Sequence, residues 1–307
     1  MRDIFATGSI TGVIEVRELI KNYGRKRALN QLSFTAQPGM VTGVVGPAGS
    51  GKSTTLRIIL GLDAPTSGTA LVNGECHPAI DRPMQAVGAL LNAEAIQGGC
   101  GSADHLRYVA RNNGIGRHRV GDVLEEVGLS DVATQRIDDL PLGMRQRLGI
   151  ARALLGDPGV LLFDEPMRGL DPEGIQWIRD LMQSLADQGR TVLVSSAHLS
   201  EMAVTADQLL VINRGELIME AATGELIERF QRDVLVRSPR RRGLTRVLTG
   251  MGATVRAEPD GGLSVIGMDS WRIAAAAAEH HLPIQELTPR SGSLEDFYRE
   301  LTSANAG

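Results

Sequence analysis

Eight consecutive residues, Gly46-Pro47-Ala48-Gly49-Ser50-Gly51-Lys52-Ser53, fit the pattern G-x-x-x-x-G-K-[ST] in full. Glycines at this spacing let the chain curl so that successive backbone N–H groups point into one concavity. A helix beginning where the glycines end adds the positive end of its dipole, and Lys52 adds a mobile point charge for outer phosphates. Ser53 offers a hard hydroxyl oxygen suited to Mg²⁺, and Thr54 follows it on the same turn. The chemistry is that of a polyphosphate-binding loop.

A second constellation ends the apolar run Val160-Leu161-Leu162-Phe163 with two acids, Asp164 and Glu165. Neighbouring side chains of a strand point to opposite faces, so at a strand's end one carboxylate can address a metal and the next a water. Asp164 is expected to hold Mg²⁺ through its water shell, and Glu165 to act as general base beside the terminal phosphate. Paired acids of this kind also occur as plain solvated turns; the complete phosphate loop favours the chemical reading.

These residues need a sheet to hold them. Met40 to Val45 reads as a buried strand, and Ser53 to Leu62 has helical spacing that ends at Gly61, so the loop lies between strand and helix as its chemistry requires. The runs VIEVREL and LSFTA precede it as β-rich segments. Residues 104–155 are mostly helical in period, and Val160–Phe163 and Thr191–Val194 read as parallel strands of an α/β sheet. Near Gly224 the texture changes. Glu225 to Arg232 reads as a charged helix, followed by β-α-β-β-α-β-α pieces at 234–236, 244–248, 254–257, 263–266, 271–279, 284–287 and 294–301. That order predicts a small ferredoxin-like α+β domain. The expected division is a tail over 1–12, a nucleotide-binding domain over 13–228 and the small domain over 229–307.

Bulk composition narrows the classes. With 42% hydrophobic residues in 307, the chain can bury a full core, which excludes disorder throughout. A net charge of −4 leaves no cationic excess for a nucleic-acid backbone, and the run Arg240–Arg242 reads as a solvated loop. Two cysteines make neither a disulfide framework nor a metal site and fit a reducing cytoplasm. No stretch approaches the roughly 18–20 apolar residues of a membrane span, so any membrane role needs another chain.

With these residues in place, DDLPLGMRQRLGIARALLGDPGVLLFDEPMRGLDP resembles the signature helix, Walker B strand and D-loop of the ATPase subunits of ABC transporters, in order and spacing. The likeness covers about residues 13–222. It implies an α/β P-loop NTPase cassette: a RecA-like core, a helical subdomain and an antiparallel β subdomain. It implies ATP and Mg²⁺ as cofactors, bound between two cassettes. Tyr23 matches the aromatic residue that stacks on adenine, ordinary sheet packing being the alternative. Asp171, in Gly169-Leu170-Asp171-Pro172, matches the D-loop acid that touches the opposite subunit. The segments GLDAPTSGTALVNG, LGMRQRLG and SLEDFYRELT are similar to those of drug- and antibiotic-resistance exporters. Arg145, Gln146 and Arg147 on the signature helix read as structural or interface groups.

Three positions depart from the family's pattern. Where it has LSGGQ, this chain has Leu140, Pro141, Leu142, Gly143 and Met144; Pro141 has neither hydroxyl nor N–H to offer a phosphate, while the Gly143 amide survives. The Q-loop glutamine, a metal and nucleotide contact, falls on Asn92, one methylene shorter. The switch histidine falls on Ala197, with His198 one place later. Counted as helix, that offset turns His198 away from the phosphate, leaving a catalytic role or a surface histidine open. The expectation is therefore nucleotide binding with slow hydrolysis.

The resemblance implies a cytoplasmic subunit, peripheral on the inner face of the membrane. Its partners would be a separately encoded permease and a second cassette, identical or not, with no nucleic acid. A regulatory, non-hydrolysing subunit and a soluble ABC protein uncoupled from transport are the alternatives.

Overall fold

The computed structural model describes residues 12–92, 98–230 and 233–290. Two compact units divide the chain, one up to Glu220 and one from Ala221.

The first unit opens with β1 (Ile14–Tyr23), β2 (Lys26–Ala36) and β3 (Val41–Val45), then α1 (Lys52–Ile59) and β4 (Ser67–Val72). The short α2 (Pro83–Ala86) leads into β5 (Val87–Leu90), and α3 (Ser102–Asn112), α4 (His118–Glu126) and α5 (Leu142–Leu154) follow. The chain then alternates β6 (Val160–Asp164), α6 (Pro172–Asp187), β7 (Thr191–Ser196), α7 (Leu199–Ala203) and β8 (Gln208–Asn213), and ends with β9 (Glu216–Ala222).

Two sheets result. β2-β1-β4 is antiparallel, and β5-β6-β7-β3-β8-β9 has β5, β6, β7, β3 and β8 in parallel register. The central strands are apolar on both faces, as burial under two layers demands: every residue of β3 and of β7 is buried. One core joins the sheets through α1, with Val16, Leu29, Leu56, Ile59, Leu162 and Leu193 packed together. The helices α3, α4 and α5 pack on one another, and α5 also packs on β5 of the central sheet. This is the predicted cassette of sheet core, antiparallel β subdomain and helical subdomain.

Several local expectations shift. The helix after the phosphate loop closes at Ile59, and Gly61, at φ 65°, turns the chain away. The hairpin of β8 and β9, not anticipated from the sequence, turns on Arg214 and Gly215, both at positive φ as a two-residue turn requires.

The second unit contains α8 (Thr223–Phe230), β10 (Asp233–Arg237), α9 (Arg241–Gly250), β11 (Thr254–Ala257), β12 (Leu263–Ile266), α10 (Ser270–Glu279) and β13 (Glu286–Arg290). The sheet order β11-β12-β10-β13, antiparallel throughout, is the ferredoxin-like arrangement. Val234, Val236, Leu244, Leu248, Val265 and Ile273 form its core. Arg240 occupies the N-cap position of α9 and Arg241 and Arg242 open its first turn, so the basic run starts a helix where a loop was expected. The expected last helix, 294–301, lies outside the described residues, as does almost all of the tail 1–12.

Candidate functional site

The phosphate loop leaves β3 and enters α1 through Gly51, whose φ of 113° suits glycine alone. A Cβ there would sit 2.6 Å from Leu29 Cδ2 and 2.9 Å from the Ala28 carbonyl, so β2 fixes the loop from outside. A Cβ on Gly46 would collide with Ser50 Oγ and the Ile212 carbonyl. Ser50 is buried, and its N–H donates to the Pro47 carbonyl at 3.1 Å, closing the loop on itself.

Lys52, only 5% exposed, is a buried charge with partners. Its ammonium donates to the Gly46 carbonyl at 2.8 Å and the Pro47 carbonyl at 3.3 Å, and lies 3.6 Å from Glu165 Oε1. Arg168 stands 3.7 Å from the other oxygen, Oε2. The proposed base is thus bracketed by two cations.

The two acids meet the loop in a way that strand alternation does not foresee. β6 ends at Asp164, and Glu165 adopts φ 46°, the left-handed region that non-glycine residues seldom enter. That turn brings both carboxylates into one cleft instead of sending them to opposite faces. Ser195, buried on β7 opposite Asp164, holds the pair: its hydroxyl donates to Asp164 Oδ1 at 2.5 Å and accepts from the Glu165 N–H at 3.0 Å. Sequence reasoning missed Ser195, although a polar residue ending an apolar strand is the kind of signal that finds it.

A cleft of about 400 Å³ gathers Ser53, Asn92, Asp164, Glu165, Arg168 and Gln146. Oxygen donors from Ser53, Asp164 and Asn92 on one cleft suit Mg²⁺, which combines one or two carboxylates with other hard oxygens from phosphate and water. No cluster of three or more His, Cys, Asp or Glu fit to hold a metal occurs among the described residues. Gln146 donates to the Pro166 carbonyl at 2.7 Å, tying α5 to the loop after the acids.

An adjoining cleft of about 440 Å³ shares Glu165 and Arg168 and is lined by Ala48, Ser196, Ala197 and His198. Here the helical reckoning of His198 fails. His198 is the extended N-cap of α7, at φ −112° and ψ 118°, so Ala197 and His198 both line this cleft. Its N–H donates to Ser196 Oγ at 3.0 Å and its ring is exposed.

Pro141, Leu142, Gly143 and Asp171 meet in a third cleft of about 490 Å³ that contains no phosphate-loop residue. Pro141 sits at the N-cap of α5 and supplies no side-chain cap. Arg147 lies 3.9 Å over the Trp177 ring and donates to the Val127 carbonyl, a structural role as expected. Asp171 caps α6: its Oδ1 accepts from the Gly174 N–H at 2.9 Å.

Tyr23, at the end of β1, is 45% exposed and outside the core, so sheet packing does not account for it. Its hydroxyl donates to Asp63 Oδ2 at 2.8 Å, and Thr54 lies within hydrogen-bonding reach. Partial burial, with the Asp63 carboxylate, holds its phenol above the ordinary range. Hydrogen bonds from Arg57, then from Tyr23, bring Asp63 down to about 2, so its charge is constant wherever the protein would work. No helix among the described residues is long and apolar enough to cross a membrane.

Comparison with known proteins finds relatives along most of the chain. The family model described as "ABC transporter" matches residues 29–168, and one for a domain of unknown function matches 232–295. An uncharacterized ABC transporter ATP-binding protein of Bacillus subtilis, YdbJ, is 31% identical over 95% of this chain and 96% of its own. The daunorubicin/doxorubicin resistance ATP-binding protein DrrA of Streptomyces peucetius is 30% identical over 95% of this chain and 93% of its own. A dimeric bacterial ABC transporter cassette superposes with a TM-score of 0.63 at 24% identity, covering 68% of this chain and 98% of the cassette.

Proposed function

The chain belongs to the ATP-binding proteins of ABC transporters, and from that premise we propose that it binds ATP with Mg²⁺, dimerises around it and drives a separate permease of the exporter type, hydrolysing slowly. The cytoplasmic, membrane-peripheral placement and the lack of a nucleic-acid partner are part of the same reading. The separation of the clefts carries it. Lys52, Ser53, Asp164 and Glu165 converge on one side, whereas Pro141, Gly143 and Asp171 lie together on another that has no phosphate-loop residue. A nucleotide held on the loop of one cassette and closed by the third cleft of a second would use both. Relatives named for drug resistance and for lantibiotic transport support export.

In the hydrolytic step a water attacks the γ-phosphorus, its proton passes to Glu165, and the bond to the ADP oxygen breaks. Mg²⁺, held from Ser53, Asp164 and Asn92, would spread the phosphate charge. Lys52 is already aimed at the loop carbonyls and Glu165, so an incoming phosphate takes over an ammonium that β3 and α1 have positioned. Pro141 and Ala197 bring no polar side chain to that phosphate. Each missing charge-assisted hydrogen bond is worth on the order of 1.5–3 kcal/mol, or roughly ten- to a hundredfold in rate.

Steady-state phosphate release from purified protein is the test. Pro141→Ser should raise turnover about tenfold, taking the lower end of that range, and Ala197→His should raise it further. If neither does, the block lies in dimer formation or in the missing permease, and the attribution to these side chains fails.

A further inference from the structure

The exposed ring of Tyr23 is held from two directions. Its hydroxyl is bound by Asp63, and Asp63 in turn takes Arg57 on both oxygens, Nε to Oδ2 at 2.8 Å and NH2 to Oδ1 at 3.2 Å. Lys21 lies 4.8 Å from the ring centroid while donating to the Ala64 carbonyl at 2.6 Å. The turn is sewn to β1 again where the Asn22 N–H donates to Thr66 Oγ1 at 2.9 Å and the Thr66 N–H to the Ile20 carbonyl at 2.8 Å. Arg57 belongs to α1, the helix whose first residues are Lys52 and Ser53. One helix therefore sets both the phosphate loop and, through Asp63, the orientation of the ring.

An exposed tyrosine at a strand end is ordinarily free to turn, and a base that stacks on it must first order it. Here the hydroxyl is pinned and one face is covered by an ammonium, which leaves a single face for a base. We propose that Asp63 is a positioning residue for nucleotide binding: with Arg57 and Lys21 it pre-orients Tyr23 as a one-faced platform for the purine, at a spacing from the phosphate loop fixed by α1. The proposal rests on Tyr23 being the base contact, and goes beyond it by naming what holds the ring and which part of the ligand feels it.

Dissociation constants of Mg-ATP and of Mg-tripolyphosphate, measured on the full chain, separate base from phosphate. Asp63→Ala and Tyr23→Phe, which break the pin from either end, should each weaken ATP about threefold to tenfold, the size expected when one side chain must be ordered on binding. Tripolyphosphate should be unaffected, and the double variant should be no worse than the single ones. Tyr23→Ala should weaken ATP at least as much. If Tyr23→Ala weakens ATP while Tyr23→Phe and Asp63→Ala do not, the platform stands without its brace and the proposal is wrong. An equal loss for tripolyphosphate in Asp63→Ala means a general structural role, which also overturns it. If Tyr23→Ala itself binds ATP normally, the assignment of the base contact falls first, and the brace with it.

Discussion

The two sides of the candidate nucleotide site are built differently. On the phosphate-loop side, polar groups interlock: Lys52 on two carbonyls and Glu165, Ser195 between Asp164 and Glu165, Asp63 between Arg57 and Tyr23. On the other side, formed by the α5 N-terminus, Pro141 has no polar side chain and the Asp171 carboxylate is engaged as a helix cap, while Ala197, in the cleft beside the phosphate loop, likewise has none. On the proposed reading the first side grips polyphosphate, and Pro141 and Ala197 do little to stabilise charge that develops on it. Binding and turnover are thereby assigned to separable residues.

The largest effect should come from the first side. Lys52→Ala removes the buried cation and should abolish measurable ATP binding in calorimetry; near-normal affinity would dissolve the contrast at its strong end. Glu165→Gln should come next, keeping binding while stopping turnover, so that Mg-ATP shifts gel filtration toward a stable dimer. Only monomer in that run would remove either the base assignment or self-association. On the second side, Asp171→Ala should cost about 1 kcal/mol of stability as a lost helix cap, read as a lower denaturant midpoint, whereas Asp171→Asn keeps an oxygen for the Gly174 N–H. If both variants lower ATPase equally and neither is destabilised, the carboxylate acts on a partner cassette and not on α6.

Much of this was legible because the decisive signals are local. The phosphate loop, its flanking strand and helix, and the acids ending β6 are each a contiguous run whose pattern carries its own chemistry. The second unit was legible for a related reason: short strands and helices in a fixed order admit few sheet arrangements. Long-range register was not legible. That Ser195 faces Asp164 follows from how β6 and β7 pair across 31 residues of chain, and Tyr23 meets Asp63 across 40. Nor do residue types announce backbone exceptions. Glu165 enters the left-handed region, so two acids that alternate along a strand end in one cleft, and His198 is extended where helix was assumed.

Strong grip with weak turnover is checked on the unmodified protein by measuring the Mg-ATP dissociation constant and steady-state phosphate release in the same buffer, with Glu165→Gln as the zero. The expected result is saturable binding together with turnover well below about one per second, the low end of ordinary enzyme rates. Saturable binding with turnover of several per second would show that Asn92, Pro141 and Ala197 are harmless, and would contradict it.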